Sequence, residues 1–369
     1  MRAVPDKAPI EITNCHVHLF TGRHVPVNYP HWALRPVKRF PWLAVPVAWL
    51  LAFFGFQEMS EKVKRLRQFQ KETQSGNQRE ILDNVRRHYP DNTRFVVLPM
   101  DLSQIGHKPP LIGLRAQHDE LAQLSADPEV GQTILPFAKI DPRADPEATE
   151  LWRAINQLRF RGIKIYPRLG YPPDHEVLMQ QVYPEAERRG IPIMTHCSRG
   201  GVQGRGVRDF HADQFTDPAA YIPVMRAFPK LRICLAHFGG QRDWAAYVNP
   251  ERPSPYAEEH SRNWQVMIRR MITGETYPGL WTDISYTLFN FEEYIPFLRL
   301  LLLREDREGD ILRSRVLFGS DYYMTRQELL SEKAVCFRLR NELGEEVFRQ
   351  IAETNPQIWL GERPDPRQS

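Results

Sequence analysis

From Arg94 to Gly319 the chain repeats one pattern: a short apolar run of strand type, then a stretch with helical spacing. The strand-type runs are Arg94–Met100, Thr133–Ile140, Gly162–Tyr166, Ile191–His196, Arg232–Ala236, Leu280–Ser285 and Arg315–Gly319, preceded near the N-terminus by Glu11–His18. Helical stretches at Leu114–Ser125, Pro146–Arg159, Asp174–Arg189, Pro218–Phe228 and Phe291–Leu303 separate most of them. Strands that alternate with helices pair in parallel and are buried on both faces, which is why they read as apolar runs. Eight of them predict an α/β fold, a (β/α)8 TIM barrel. An open doubly wound sheet is the competing arrangement, but no G-x-G-x-x-G turn follows the first strand. The 369 residues exceed the roughly 250 of a plain barrel, so a single domain over 1–369 is expected to carry a long insertion after strand one, about 21–90, and a shorter one after strand six, about 243–274. Residues 1–10 read as a loose leader, and Pro364–Ser369 as a tail.

Composition narrows the class. With 42% hydrophobic and 25% charged residues the chain has enough apolar material for a large core. Its 49 basic and 45 acidic residues are too balanced and too dispersed for nucleic acid to be the main partner, while a small anionic substrate suits the slight positive excess. The four cysteines form no C-x-x-C pair and no basic-then-apolar leader opens the chain, so reduced thiols in a cytoplasmic protein are expected. Phe40–Phe56 carries no charge, but it spans only 17 residues and is interrupted by Pro41, Pro46 and Gly55, which argues against a membrane span. It reads instead as a lid or a subunit-contact hairpin, consistent with a homodimer, with peripheral membrane contact the lesser alternative.

In a barrel, catalytic groups sit at the C-terminal ends of the strands. Here strand one ends in His16 and His18, strand four carries Lys164, strand five ends in His196, strand six runs into His237, and strand eight leads to Asp321. Residues i and i+2 of a strand share a face, so His16 and His18 point together while Cys15 and Val17 are expected to face the other way. Histidine occupies only 12 positions in the chain, and four of them fall at three strand ends. Imidazoles with a carboxylate suit a divalent ion such as zinc, with a position left open for water.

The pieces His16-Val17-His18, Gly162-Ile163-Lys164-Ile165-Tyr166-Pro167, Thr195-His196-Cys197, Leu235-Ala236-His237-Phe238-Gly239-Gly240 and Phe318-Gly319-Ser320-Asp321 follow in an order that resembles the amidohydrolase superfamily of metal-dependent hydrolases. Within it the chain looks most like the subgroup of aminocarboxymuconate semialdehyde decarboxylase and related uncharacterised hydrolases. That resemblance implies a divalent metal, zinc in the first instance, held by His16, His18, His196 and Asp321. It also implies that Asp321 takes a proton from water, and that His237 is a catalytic histidine or a ligand of a second ion.

Three residues are expected to meet substrate. By the same resemblance Lys164 is a substrate-binding or structural group, or a carboxylated bridging ligand as in two-metal members; otherwise it is an ion-pair partner of a carboxylate such as Asp321 or Asp283, and Tyr166 lies on the same strand face. Arg199 stands in the glycine-rich loop Ser198–Gly206, which is suited to a carboxylate or phosphate but lacks the lysine and hydroxyl of a P-loop. His211 and His260 are expected in solvated loops, and Cys15 and Cys197 are not expected to act as nucleophiles. The expected activity is metal-dependent hydrolysis of an amide, ester or lactone bond in a small carboxylated molecule. Non-oxidative decarboxylation and a non-catalytic metal-binding barrel are the alternatives.

Overall fold

A computed structural model describes residues 8–26, 29, 75–105, 108–248, 262–285, 291–322 and 332–367. All eight expected strands are present: β1 (Thr13–Val17), β2 (Arg94–Val97), β3 (Ile134–Lys139), β4 (Gly162–Ile165), β5 (Ile193–Thr195), β6 (Ile233–Leu235), β7 (Leu280–Asp283) and β8 (Val316–Leu317). They pair in parallel in sequence order. The ring closes where the Cys15 amide donates to the Phe318 carbonyl at 2.8 Å and the Asp321 amide to the His16 carbonyl at 2.9 Å. This is the (β/α)8 barrel that the alternating pattern predicts. Gly319 allows the closure, because a Cβ there would lie 2.8 Å from His16 Cβ.

Alternation along each strand divides the core. Val96, Leu98, Phe137, Met194, Cys234, Trp281 and Leu317 gather in one buried cluster with Trp359, whose ring lies 5.4 Å from that of Phe137. Their neighbours Phe95, Val97, Ile163, Ile165, Ile193 and Ile233 belong to the larger cluster that packs strands against helices. Together these clusters fill the barrel interior below the strand ends, so a cavity inside the barrel has room only above them.

Strand β1 breaks the simple alternation. Its register shifts between Asn14 and Val17, and Cys15 joins the inner cluster while Val17 joins the outer one. The irregularity lets Cys15, His16 and His18 all face inward, so Cys15 is not turned away from the histidines as strict pleating predicts.

Other boundaries also differ. The glycine-rich loop after β5 leads into a helix, Asp209–Thr216, that was not expected; His211 is exposed on this helix rather than in a loop. The second insertion contains helices Gln241–Val248 and Trp264–Thr273. The termini are better anchored than their composition suggests: Ile10 is buried, and Asp365 pairs with Arg315 at 2.9 Å. The apolar stretch Phe40–Phe56, the charged stretch Glu58–Thr73 and His260 lie outside the described residues. Among the described residues, no helix is long and apolar enough to cross a membrane.

Candidate metal centre

The strand ends bring His16, His18, His196, His237 and Asp321 to the floor of one open cavity. His18 Nδ1 donates to the Leu98 carbonyl at 2.7 Å, which leaves Nε2 without its proton and 3.7 Å from Asp321 Oδ1. His16 is fixed in the same sense. Its Nδ1 lies 2.9 Å from Asp283 Oδ2, an acceptor only, so Nε2 carries the lone pair; that nitrogen is buried and has no hydrogen-bond partner among the described residues. Ligand atoms of His16, His237 and Asp321 all lie within 4.8 Å of one another.

The second pair of histidines is held by close contact between β5 and β6. Gly240 has φ 80°, and a Cβ on it would come 2.4 Å from Ser198 Cβ, so the Gly239-Gly240 step lets the two strand ends meet. His196 Nδ1 then lies 3.0 Å from His237 Nε2, while His196 Nε2 lies 3.1 Å from Ser198 Oγ and 3.3 Å from the Gly200 carbonyl. The Tyr166 ring stacks on His196 at 4.4 Å. His237 and Asp321 both have positive φ, 72° and 52°. Such backbone costs about 1–3 kcal/mol per non-glycine residue and persists only where its surroundings hold it. Here the His237 amide donates to Asp283 Oδ1 at 3.0 Å and the Asp321 amide to the His16 carbonyl at 2.9 Å.

Burial sets the charge states. It is the main cause pushing His18 down to about 3, with the Lys164 ammonium adding to it. Burial also takes His16, His196 and His237 well below the ordinary imidazole range. Neutral imidazoles are the ligating form. Burial pushes Asp321 up to about 7; Lys164 opposes the shift, and Asp283 and Glu332 reinforce it.

The sequence profile of the amidohydrolase family matches residues 13–361. The chain belongs to the amidohydrolase family. No curated protein matches the sequence closely enough to add to this. Among solved structures, an uncharacterised TIM-barrel protein from Bordetella bronchiseptica is 16% identical with a TM-score of 0.53, covering 95% of this chain and 98% of its own. A 5-carboxyvanillate decarboxylase from Novosphingobium aromaticivorans, solved with bound manganese and 3-methoxy-4-hydroxy-5-nitrobenzoic acid, is 15% identical with a TM-score of 0.54. That comparison covers 95% of this chain and 97% of the decarboxylase. At these identities both likenesses concern the fold.

Members of the amidohydrolase family typically bind a divalent metal, and the floor of this cavity suits one. The bare, partnerless His16 Nε2, the bare His18 Nε2 and the Asp321 carboxyl form a donor set for a borderline or hard cation. His196 faces His237, Ser198 and Gly200, and it is His237 that falls within the His16–Asp321 group.

Around this floor the amidohydrolase presents a mostly apolar wall that includes Phe20, Val25, Met100, Leu102 and Ile105. Lys164 and Tyr166 line the cavity as expected from their strand positions. Lys164 is buried, and among the described residues its ammonium has no hydrogen-bond or ion-pair partner; the anticipated pairing with Asp321 or Asp283 is not formed. Burial lowers it to about 8, against the pull of Asp283 and Asp321. Its register neighbour Lys139, also buried, instead donates to the Ile140 carbonyl at 2.5 Å. Arg199 requires correction. It is not among the cavity-lining residues, its guanidinium pairs with buried Asp243 at 3.0 Å, donates to the Arg262 carbonyl at 3.1 Å and lies 4.1 Å over the Trp264 ring. These contacts tie the loop after β5 to the second insertion.

Asp283 and Ser285, at the end of β7, were missed as site residues. Asp283 accepts from His16 Nδ1, from the His237 and Ser285 amides, and from the Ser285 hydroxyl. Their only sequence signal is two polar residues at positions i and i+2 where the apolar run Leu280–Ser285 ends.

Proposed function

We propose that this amidohydrolase uses a divalent metal, zinc in the first instance, to hydrolyse an amide, ester or lactone bond in a small carboxylated molecule. The observation that carries this reading is Asp321. It is a buried carboxyl 3.7 Å from the bare His18 Nε2 and open to the cavity. A carboxylate placed beside the ligand nitrogens can take a proton from water and return it within one turnover.

His16, His18 and Asp321 would hold the ion, joined by a histidine of the His196–His237 pair. When bound, such a cation acts as a Lewis acid and lowers the pKa of water from about 15.7 towards about 7. Asp321 accepts the proton of the attacking water and passes it to the leaving group. His237, neutral and with its Nδ1 directed at the Ser285 hydroxyl, would present its Nε2 lone pair to the ion or to the attacking water. The Lys164 ammonium, without an anionic partner among the described residues, pairs with the substrate carboxylate, and Tyr166 also lines the cavity. The apolar walls exclude bulk water and strengthen each of these interactions.

Decarboxylation is the second reading, favoured by the fold shared with the 5-carboxyvanillate decarboxylase and by the apolar walls, which suit a conjugated acid. In it, protonated Asp321 delivers the proton that replaces CO₂. The test is product analysis on zinc-loaded and manganese-loaded protein, with a panel of carboxylated amides, esters and lactones and a panel of aromatic and conjugated acids. Incorporation of one water per turnover supports hydrolysis. Release of CO₂ without added water rejects it in favour of decarboxylation, and no turnover of either panel by metal-loaded protein would leave the non-catalytic barrel.

A further inference from the structure

The Asp283 carboxylate accepts hydrogen bonds and cannot donate them. Its Oδ1 takes both the amide and the hydroxyl of Ser285, the amide at 2.9 Å. A serine hydroxyl has one hydrogen, so once it donates to Asp283 its oxygen can only accept. Ser285 Oγ lies 2.8 Å from His237 Nδ1, and Nδ1 must then carry the proton. In a neutral imidazole this leaves His237 Nε2 bare, 3.0 Å from His196 Nδ1, which in turn must donate. His196 Nε2 is then bare as well: the Ser198 hydroxyl at 3.1 Å donates to it, and the Gly200 carbonyl, 3.3 Å away, receives no proton from it. One carboxylate thus directs two arms of the site: His16 by direct contact, and His237 followed by His196 through a single hydroxyl.

We propose that Ser285 is a positioning residue that holds His237 in the Nδ1-protonated tautomer, with its bare Nε2 turned to His196 and the cavity floor. The catalytic importance of this tautomer rests on the reading of the site given above; the tautomer itself does not. If Ser285 were only a packing residue, either tautomer of His237 would serve.

The experiment is ¹⁵N spectroscopy of the full chain labelled at histidine and loaded with zinc, comparing the parent protein with Ser285→Ala and Ser285→Thr, with zinc affinity measured on the same samples. The parent His237 should show a protonated Nδ1 and a bare Nε2. Ser285→Ala should move His237 towards the opposite tautomer and weaken zinc binding by about 10–100-fold, the usual loss on removing a group that orients a ligand. Ser285→Thr, which keeps the hydroxyl, should restore both. A parent His237 protonated at Nε2 overturns the proposal, and this spectrum decides even if Ser285→Ala does not fold. An unchanged tautomer in folded Ser285→Ala overturns it equally. Neither readout requires a substrate, so failure here is distinct from failure of the proposed reaction.

Discussion

Asp283 Oδ2 lies 2.9 Å from His16 Nδ1, and both side chains are buried. The carboxylate fixes which imidazole nitrogen is left bare and holds the ring in place from the β7 side. Asp283→Asn keeps the size of the side chain but removes the charge that strengthens this bond. Its amide group would also face donors that now meet a carboxylate oxygen. The expected outcome is about 10–100-fold weaker binding of zinc or manganese. Competition against a chromophoric chelator measures it, and parental affinity in a folded variant would show that His16 does not need this partner.

The ligand assignment predicts separable losses. His16→Ala and His18→Ala each remove a bare nitrogen from the cavity floor, so metal content by elemental analysis should fall well below one ion per chain. Asp321→Asn should keep the fold, since the backbone bond from residue 321 to the His16 carbonyl does not depend on the side chain. It should lower turnover by about 10²–10⁴-fold, the range for loss of a general acid–base group. Full metal occupancy in both histidine variants, or near-parental turnover in Asp321→Asn, would remove those residues from their roles.

The barrel was legible because each strand is a continuous apolar run between helices, a pattern local in sequence. The groups lining the cavity floor were legible for a related reason: polar residues that end apolar runs stand out, as His16, His18, His196, His237 and Asp321 do. Their supports were not. Asp283 meets His16 across 267 positions, and nothing near either residue announces the pairing. The inward turn of Cys15 depends on a register shift, which regular alternation does not reveal. Arg199 misled because a glycine-rich loop bearing an arginine has the composition of an anion cradle. Its actual partners, Asp243 and Trp264, come from a later part of the chain and are seen only once the second insertion folds back.

Arg199 offers a direct contrast between structural and substrate-binding roles. Removing one member of a buried ion pair leaves an uncompensated charge and costs about 3–5 kcal/mol. Arg199→Met should therefore lower the thermal midpoint, by roughly 1–2 °C for each kcal/mol at this chain length. In the folded fraction the substrate KM should change little. A variant with an unchanged midpoint and a sharply raised KM would return Arg199 to the cavity.

Lys164 should show its cost through pH. Its native pKa of about 8 lies below the 10.5 of an unperturbed lysine, so between these values the unfolded chain binds more protons than the native one. Stability of the parent protein therefore rises with pH across this window, and below about 8 the full penalty of the buried ammonium is present. Lys164→Met, similar in length and uncharged, removes that penalty. Metal-free Lys164→Met should be more stable than metal-free parent at pH 7 by on the order of 3 kcal/mol, and the advantage should shrink as pH rises from about 8 towards 10.5. The same variant should bind carboxylated substrates or inhibitors more weakly, by about 10-fold or more, since the cavity loses a charge-assisted partner worth about 1.5–3 kcal/mol. Denaturant unfolding across pH, paired with inhibitor titration, separates the two effects. A stability gain with unaltered anion affinity would leave Lys164 a buried charge with no role in recognition, whereas loss of both would mean that the ammonium is paired in the folded protein.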